Sequence, residues 1–361
     1  MSKVAKVIGE AQAGTTCIVG VDAHKKTNAV TMLRSDGQRK SFVCPADTKA
    51  TLTAILRFAG AIELLVYEAG PTGFTLAWAC QESSIPVMVV APSRIPRPVT
   101  AGAKTDRLDS RKLAEYAAQG MLKSIAIPTR EEHALRKVER MRQSLGYSIR
   151  KQKQEIKSFL LENGIPEPAG LQHWSKVSVE ALKLMPLSPL HRALLDSLLQ
   201  MLELYQSQQK HLASLLAQEV RNAGKQQVVE CLKSIPGVGE TIAHAFTAEI
   251  FRPERFAHAE QIAAYIGLAP ITIQSGHTKN SSRIRPTGQQ YLRSVLVEGA
   301  WLWKNKDPRA QDLYNRVFSR TGLAQKAIVA VARKFLLVLW RISVEQRPYR
   351  ISTADGVPAA H

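Results

Sequence analysis

The sequence predicts an α/β domain followed by a helical connector and a mostly helical last third. Three observations lead there. Up to about residue 125, short apolar runs alternate with helix-start signals; from 126 to 225 leucines recur with the helical period; beyond 226 apolar helical stretches are broken by Gly and Pro. With 361 residues, 45% of them hydrophobic, the chain has room for two or three cores. The expected domains are 15–125, 126–225 and 226–345, with flexible segments at 1–14 and 346–361.

The first domain is organised around CIVGVDAHKKTNAVTML, Cys17 to Leu33. Ile18 to Val21 shows no polar alternation, which suits a strand covered on both faces, and Asn28 to Leu33 alternates as a neighbour should. The first run ends in Asp22, where a strand opens to solvent and ligands. Gly37 marks a turn, Lys40 to Cys44 reads as a third strand, and Asp47 caps a helix to about Phe58. Ile62 to Tyr67 is a further strand that ends in a carboxylate, Glu68. The AGPTG after it breaks the strand and opens a helix near Thr72. Val87 to Val90 is a fifth strand, and beyond a Pro-rich loop Asp106 and Asp109 stand at a helix start, three residues apart and so on one face.

Three strands, a helix, then alternating β and α is the ribonuclease-H-like architecture. Acidic residues are expected there on the first strand, the fourth strand and a late helix. Such carboxylates hold two Mg²⁺ ions, hard cations that prefer oxygen, about 3.5 to 4 Å apart. Asp106 and Asp109 taken alone are explained by the preference of helix N-termini for negative charge. An actin-like phosphotransferase would also begin with a strand ending in Asp. Its phosphate loop needs small residues next, whereas here Ala23 is followed by His24, Lys25 and Lys26.

In the connector, Leu135, Val138, Leu145, Ile149, Ile156 and Leu160 keep one helix face apolar, and Arg and Lys fill the flanks from Arg136 to Lys157. Gly164 and Pro166 end that helix. Ser188 and Pro189 start a second, carrying Leu195, Leu198, Leu202, Tyr205, Leu212, Leu215 and Leu216. The two form an antiparallel pair, or a coiled coil between subunits. The basic flank is either a solvated face or an arm that contacts phosphate.

In the last third, SIPGVGETIA has the turn of a helix-hairpin-helix, with Gly237 and Gly239 allowing the backbone to approach a phosphate. A plain helical hairpin is the alternative. A helix at Ala259 to Ile266 follows, then a stretch rich in hydroxyl and basic residues, closed by a helix capped by Thr287. Ser275 in it can be a turn former, a phosphate binder or a nucleophile. Lys279, Arg283, Arg285 and Arg293 suit phosphate contact in each case.

Composition narrows the partners. Against 30 Asp+Glu stand 49 Lys+Arg, a formal charge of +19 spread along the chain, which favours a polyanion such as nucleic acid. Cys17, Cys44, Cys80 and Cys231 form no CxxC pair, so neither a zinc knuckle nor a disulfide framework is expected, and a reducing cytoplasm fits. No signal peptide or membrane span is read, since Arg333 and Lys334 interrupt the most apolar late stretch.

The set VGVDAHKK, VYEAGPTG, KTDRLDSRKLAE, SIPGVGETIA and YIGLAPITIQSG, in that order, resembles the DEDD transposases of the insertion-sequence 110 family, relatives of pilin-gene invertases. The resemblance covers nearly the whole chain. It implies a bacterial or archaeal, nucleoid-associated DNA recombinase with a RuvC-like N-terminal domain, a coiled-coil connection and a C-terminal transposase domain. Asp22, Glu68, Asp106 and Asp109 would hold Mg²⁺ or Mn²⁺, and Ser275 would attack DNA and become linked to it. Ser281 and Ser282 lie close by as competing serines. Lys25, Lys26 and Arg107 would join the nucleic-acid contacts. The partners implied are double-stranded donor and target DNA, a non-coding bridge RNA, and further copies of the chain in a dimer or tetramer. A RuvC-like structure-specific nuclease using metal-bound water is the enzymatic alternative, and a nucleic-acid-binding protein that has lost its metal is the non-enzymatic one.

Overall fold

The computed structural model describes residues 15–59, 61–96, 106–275, 278–284 and 288–351, with backbone alone at 106–108, 271–275 and 278–283. The chain forms two compact units, Met1–Arg130 and Glu131–His361.

The first unit is a mixed five-stranded sheet of β1 (Thr16–Ala23), β2 (Thr27–Arg34), β3 (Arg39–Pro45), β4 (Ala61–Glu68) and β5 (Val87–Val90), in the order β3-β2-β1-β4-β5. Tight connections make the first three antiparallel, whereas the helical crossovers that follow make β1, β4 and β5 parallel. Helices α1 (Thr48–Leu56) and α2 (Thr75–Glu82) precede β4 and β5, and α3 (Asp106–Ala118) follows. The Asp47 side chain caps α1 by accepting from the Ala50 amide, as the sequence predicts. Helix α2 begins at Thr75 and not near Thr72, because a turn over 71–74 comes first.

Both sheet faces are covered, which explains the unbroken apolar run in β1. Val19, Val21, Leu65 and Tyr67 pack with Ile55 of α1 and Leu76, Ala77 and Cys80 of α2. Val66 and Val90 face the other way, against Leu113 of α3. Gly20 lies on this second face, where a Cβ would come 2.1 Å from the Ser110 carbonyl oxygen. Glycine at this position lets α3 lie directly on the strand.

The second unit opens with α4 (Arg130–Glu162), α5 (Lys176–Leu184) and α6 (Pro189–Asn222). Helices α4 and α6 run antiparallel. Gln152 donates to the Leu198 carbonyl, Gln209 to the Arg142 carbonyl, and Leu135 shares a core with Leu216 and Val220. Ile149, Ile156 and Leu160 meet Leu195, Leu199 and Leu202 between them. Leu215 of the predicted stripe is 37% exposed, because the helical phase turns it away while Leu216 is buried. The basic flank of α4 is partly used inside the unit: Arg142 forms a two-pronged bond with Glu139, Arg140 reaches Glu249, and Arg136 is buried.

The remaining elements are α7 (Gln226–Lys233), α8 (Glu240–Glu249), α9 (Ala259–Ile266), β6 (Pro270–Ser275), β7 (Thr278–Ile284), α10 (Gln290–Lys306), α11 (Pro308–Thr321) and α12 (Ala324–Glu345). Helix α12 runs through their core, burying Phe335, Leu336 and Leu339 beside Phe246 and Trp303. The polar stretch around Ser275 is an antiparallel hairpin. Helix α10 starts after Gly288, whose φ of +91° breaks a helix, so Gln289 takes the cap position; Thr287 lies outside the described residues. At the far end, Tyr349 donates from its backbone to Ser234 and its hydroxyl meets Asp307, so the expected tail is fixed at its start. The four cysteines are buried free thiols. Among the described residues no helix is long and apolar enough to cross a membrane.

Candidate active site

The register of β1 and β4 places two carboxylates together. Val21 pairs with Tyr67 in parallel, so the next residues, Asp22 and Glu68, stand side by side at the carboxyl ends of their strands. Neighbouring strands are about 4.8 Å apart, a separation at which two carboxylates repel unless a proton or a cation lies between them. Side chains alternate along a strand, so Asp22 shares a face with Gly20 and Glu68 with Val66. That is the face covered by α3.

Helix α3 runs against β1. Glu115, near its end, lies 4.0 Å from Arg39, and Arg39 pairs with Leu33, which pairs with Ile18 early in β1. The amino end of α3 therefore points toward the strand end that carries Asp22. From Leu113, which meets Val66, one turn back along the helix reaches Asp109, while two residues on along the strand reaches Glu68. Each step is about 6 Å, so both arrive at the same edge. Asp106 is the first residue of α3 and starts the helix at this edge; its side chain and that of Arg107 lie outside the described residues. Ser110 fixes the phase of the helix, sharing a buried hydrogen bond of 2.9 Å with Thr31.

Asp22 is largely enclosed, with 17% of its side chain exposed, and its Oδ2 lies 3.0 Å from Nε2 of His24. Sequence reasoning assigns His24 no role at the site. A signal for it exists, because it stands two residues beyond Asp22 and would share its face if the strand continued. Asp109 lies 3.7 Å from Lys112. Lys25 and Lys26 are exposed in the turn beside Asp22. Among the described side chains no three His, Cys, Asp or Glu are grouped closely enough to hold a metal ion. The donor chemistry nonetheless fits a hard cation: carboxylate oxygens on adjacent strands, with two more acidic residues in the first turn of the facing helix.

The other predicted residues belong to the second unit. Ser275 ends β6 opposite Thr278, Lys279 pairs with Gln274, and Arg283 pairs with Ile271. Ser281 and Ser282 are in β7, and Arg285 lies outside the described residues. Arg293, in the first turn of α10, donates to the Gly267 carbonyl at 3.5 Å. Gly237 and Gly239 differ from one another. At Gly237, φ is +91° and a Cβ would meet the Gly299 carbonyl at 2.7 Å, so α10 covers the position that the sequence offers to a phosphate. Gly239 caps α8 and has open space around it. The adjoining hollow, about 370 Å³, is lined in part by Glu240 and Glu298, whose charge disfavours an anion. Lys233 approaches Glu240 at 2.5 Å and holds its carboxyl below the usual range.

Comparison with known proteins finds relatives along most of the chain. A family model for the DEDD transposase of IS110 elements matches residues 19–164, and one described as Transposase IS116/IS110/IS902 family matches 229–315. The putative transposase y4rJ of Sinorhizobium fredii is 30% identical, over 77% of this chain and 76% of its own. The transposase for insertion sequence element IS1111A of Coxiella burnetii is 26% identical over 74% and 73%. The pilin gene-inverting protein of Moraxella bovis is 28% identical over 68% of each. With Asp22, Glu68 and the start of α3 at one edge of the sheet, and similarity along most of its length, the chain belongs to the IS110 family of DEDD transposases.

Proposed function

We propose that this transposase cuts and rejoins DNA through a RuvC-like first unit, in which Asp22, Glu68, Asp106 and Asp109 hold Mg²⁺ or Mn²⁺, and through Ser275 as nucleophile. The reading rests on one observation, the parallel pairing of Val21 with Tyr67, after which Asp22 and Glu68 follow at the ends of neighbouring strands on the face covered by α3. A divalent ion bound there would neutralise charge on the scissile phosphate. His24 orients the Asp22 carboxylate through its 3.0 Å contact. Lys25 and Lys26 draw the DNA backbone to the same edge. The Ser275 hydroxyl oxygen bonds to phosphorus, the bond to one deoxyribose oxygen breaks, and the serine proton passes to that departing oxygen. A free hydroxyl of the other DNA reverses the step, so rejoining needs no external energy source.

Donor and target are double-stranded DNA, selected by base pairing with an element-encoded bridge RNA; the charge of +19 suits two polyanionic partners. The α4 and α6 pair extends as a coiled coil between copies in a dimer or tetramer, and the protein works at the bacterial or archaeal nucleoid. Sequencing RNA that co-purifies with the chain, then supplying matching DNA and assaying junctions with and without chelator, tests the reading. Metal-dependent junctions with a protein–DNA adduct are expected. Cleavage without an adduct would instead favour a RuvC-like nuclease that attacks with water.

A further inference from the structure

The exposed surface of the second unit holds an aromatic cluster that the proposed chemistry does not use. Trp301 on α10 is 39% exposed and Phe318 on α11 is 43% exposed. Between them stands Tyr314, its ring stacked on Phe318 with planes 10° apart and centroids at 5.9 Å, and 5.7 Å from Trp301. Lys304 lies over Tyr314 at 4.3 Å and over Trp301 at 5.2 Å. Burying rings of this size stabilises a fold, yet large parts of two of them remain outside the core.

The charge around them identifies the occupant. From Trp301 to Lys326 the chain carries Lys304, Lys306, Arg309, Arg316, Arg320 and Lys326 against Asp307 and Asp312. Asp307 is buried, capping α11 and meeting Tyr349, which leaves Asp312 of this stretch, with Glu298 one turn before Trp301 on α10, as carboxylates against six cations. Aromatic faces interleaved with cations fit a strand whose bases are unpaired, because bases stack on the rings while phosphates meet the ammonium and guanidinium groups. A duplex offers no free base faces to such a surface.

We propose that Trp301, Tyr314, Phe318 and Lys304 form a stacking platform for single-stranded nucleic acid. The inference rests on the reading of the chain as a nucleic-acid enzyme and assigns this face its partner. The full chain is titrated with labelled oligo(dT), oligo(U) and a duplex of matched length, comparing wild type with Trp301→Ala/Phe318→Ala, and melting curves check the fold. Loss of stacking lowers single-strand affinity by roughly 5- to 100-fold per base, with duplex affinity unchanged. Lys304→Gln reduces the single-strand salt slope by about 0.7, whereas the aromatic variant leaves it unchanged. Trp301→Phe/Phe318→Tyr restores binding. Photocrosslinking of halogenated oligonucleotides to the wild-type chain maps to these rings, and the preference between oligo(dT) and oligo(U) tells DNA from RNA.

Equal losses on duplex and single strand, or unchanged affinity together with crosslinks elsewhere, would overturn the platform and leave the face to a protein partner. Neither result touches metal-dependent cleavage, and a chain inactive in cleavage could still bind single strands here, so the two readings fail separately.

Discussion

Gly20 and Ser110 are in direct backbone apposition: a Cβ on Gly20 would come 2.1 Å from the Ser110 carbonyl oxygen and 2.7 Å from the Ala114 nitrogen. This close approach seats α3 on β1 and brings its first turn to the edge that carries Asp22 and Glu68. Gly20→Ala is expected to push the helix off the strand, costing about 1–3 kcal/mol as overpacked cores do and reducing DNA cleavage. Urea unfolding alongside a cleavage assay measures both. Wild-type stability in the variant would show that the helix is seated by other contacts.

Asp22→Asn keeps the shape of the side chain and removes its charge. Cleavage is expected to fall by about a thousandfold or more, since a bound metal supplies several kcal/mol of charge stabilisation. Melting temperature and DNA affinity should stay near wild type, because the carboxylate sits at the sheet edge. Retained cleavage in chelator would remove the metal from the reaction.

Ser275→Ala is expected to abolish the covalent protein–DNA species seen on denaturing gels, while Ser281→Ala and Ser282→Ala leave it intact. Mass spectrometry of the trapped wild-type adduct assigns the oxygen. An adduct mapped to either of the other serines would reassign the nucleophile.

The two glycines of the α7 to α8 corner should separate in experiment. Gly237→Ala meets backbone of α10 and adopts an unfavourable φ, so it should lose on the order of 1–3 kcal/mol in denaturant. Gly239→Ala has open space and should keep its stability. If the corner holds a phosphate, Gly239→Ala weakens nucleic-acid binding across sequences and lowers its salt slope.

Burial pushes the His244 imidazole below its ordinary value, against the pull of Glu240 and Glu139 and helped by Arg142. The unfolded chain then binds the proton more readily than the folded one, so stability rises with pH through this group. Its contribution is complete above about 6.5, the unfolded value, and is lost as pH falls toward the depressed folded value. Denaturant midpoints measured from neutral to mildly acidic pH should fall, and His244→Gln should flatten that fall.

The sequence by itself determined the local elements and where the acidic residues fall among them. The apolar run of β1, the Asp47 cap, the Val87–Val90 strand and the Ser188–Pro189 helix start are short-range signals, because turn chemistry and side-chain period act over a few residues. Asp22, Glu68, Asp106 and Asp109 are likewise visible at strand ends and a helix start. What only the tertiary structure decided were relations between segments distant in sequence. Register sets Asp22 beside Glu68, the missing Cβ of Gly20 admits α3, and α10 covers Gly237. The buried pairing of Arg142 with Glu139 and the contact of Arg140 with Glu249 turn part of a basic flank into internal structure. Periodicity reports which face of an element is apolar, but its partner is set by close packing between elements, and that packing decides which charged side chains remain for a ligand.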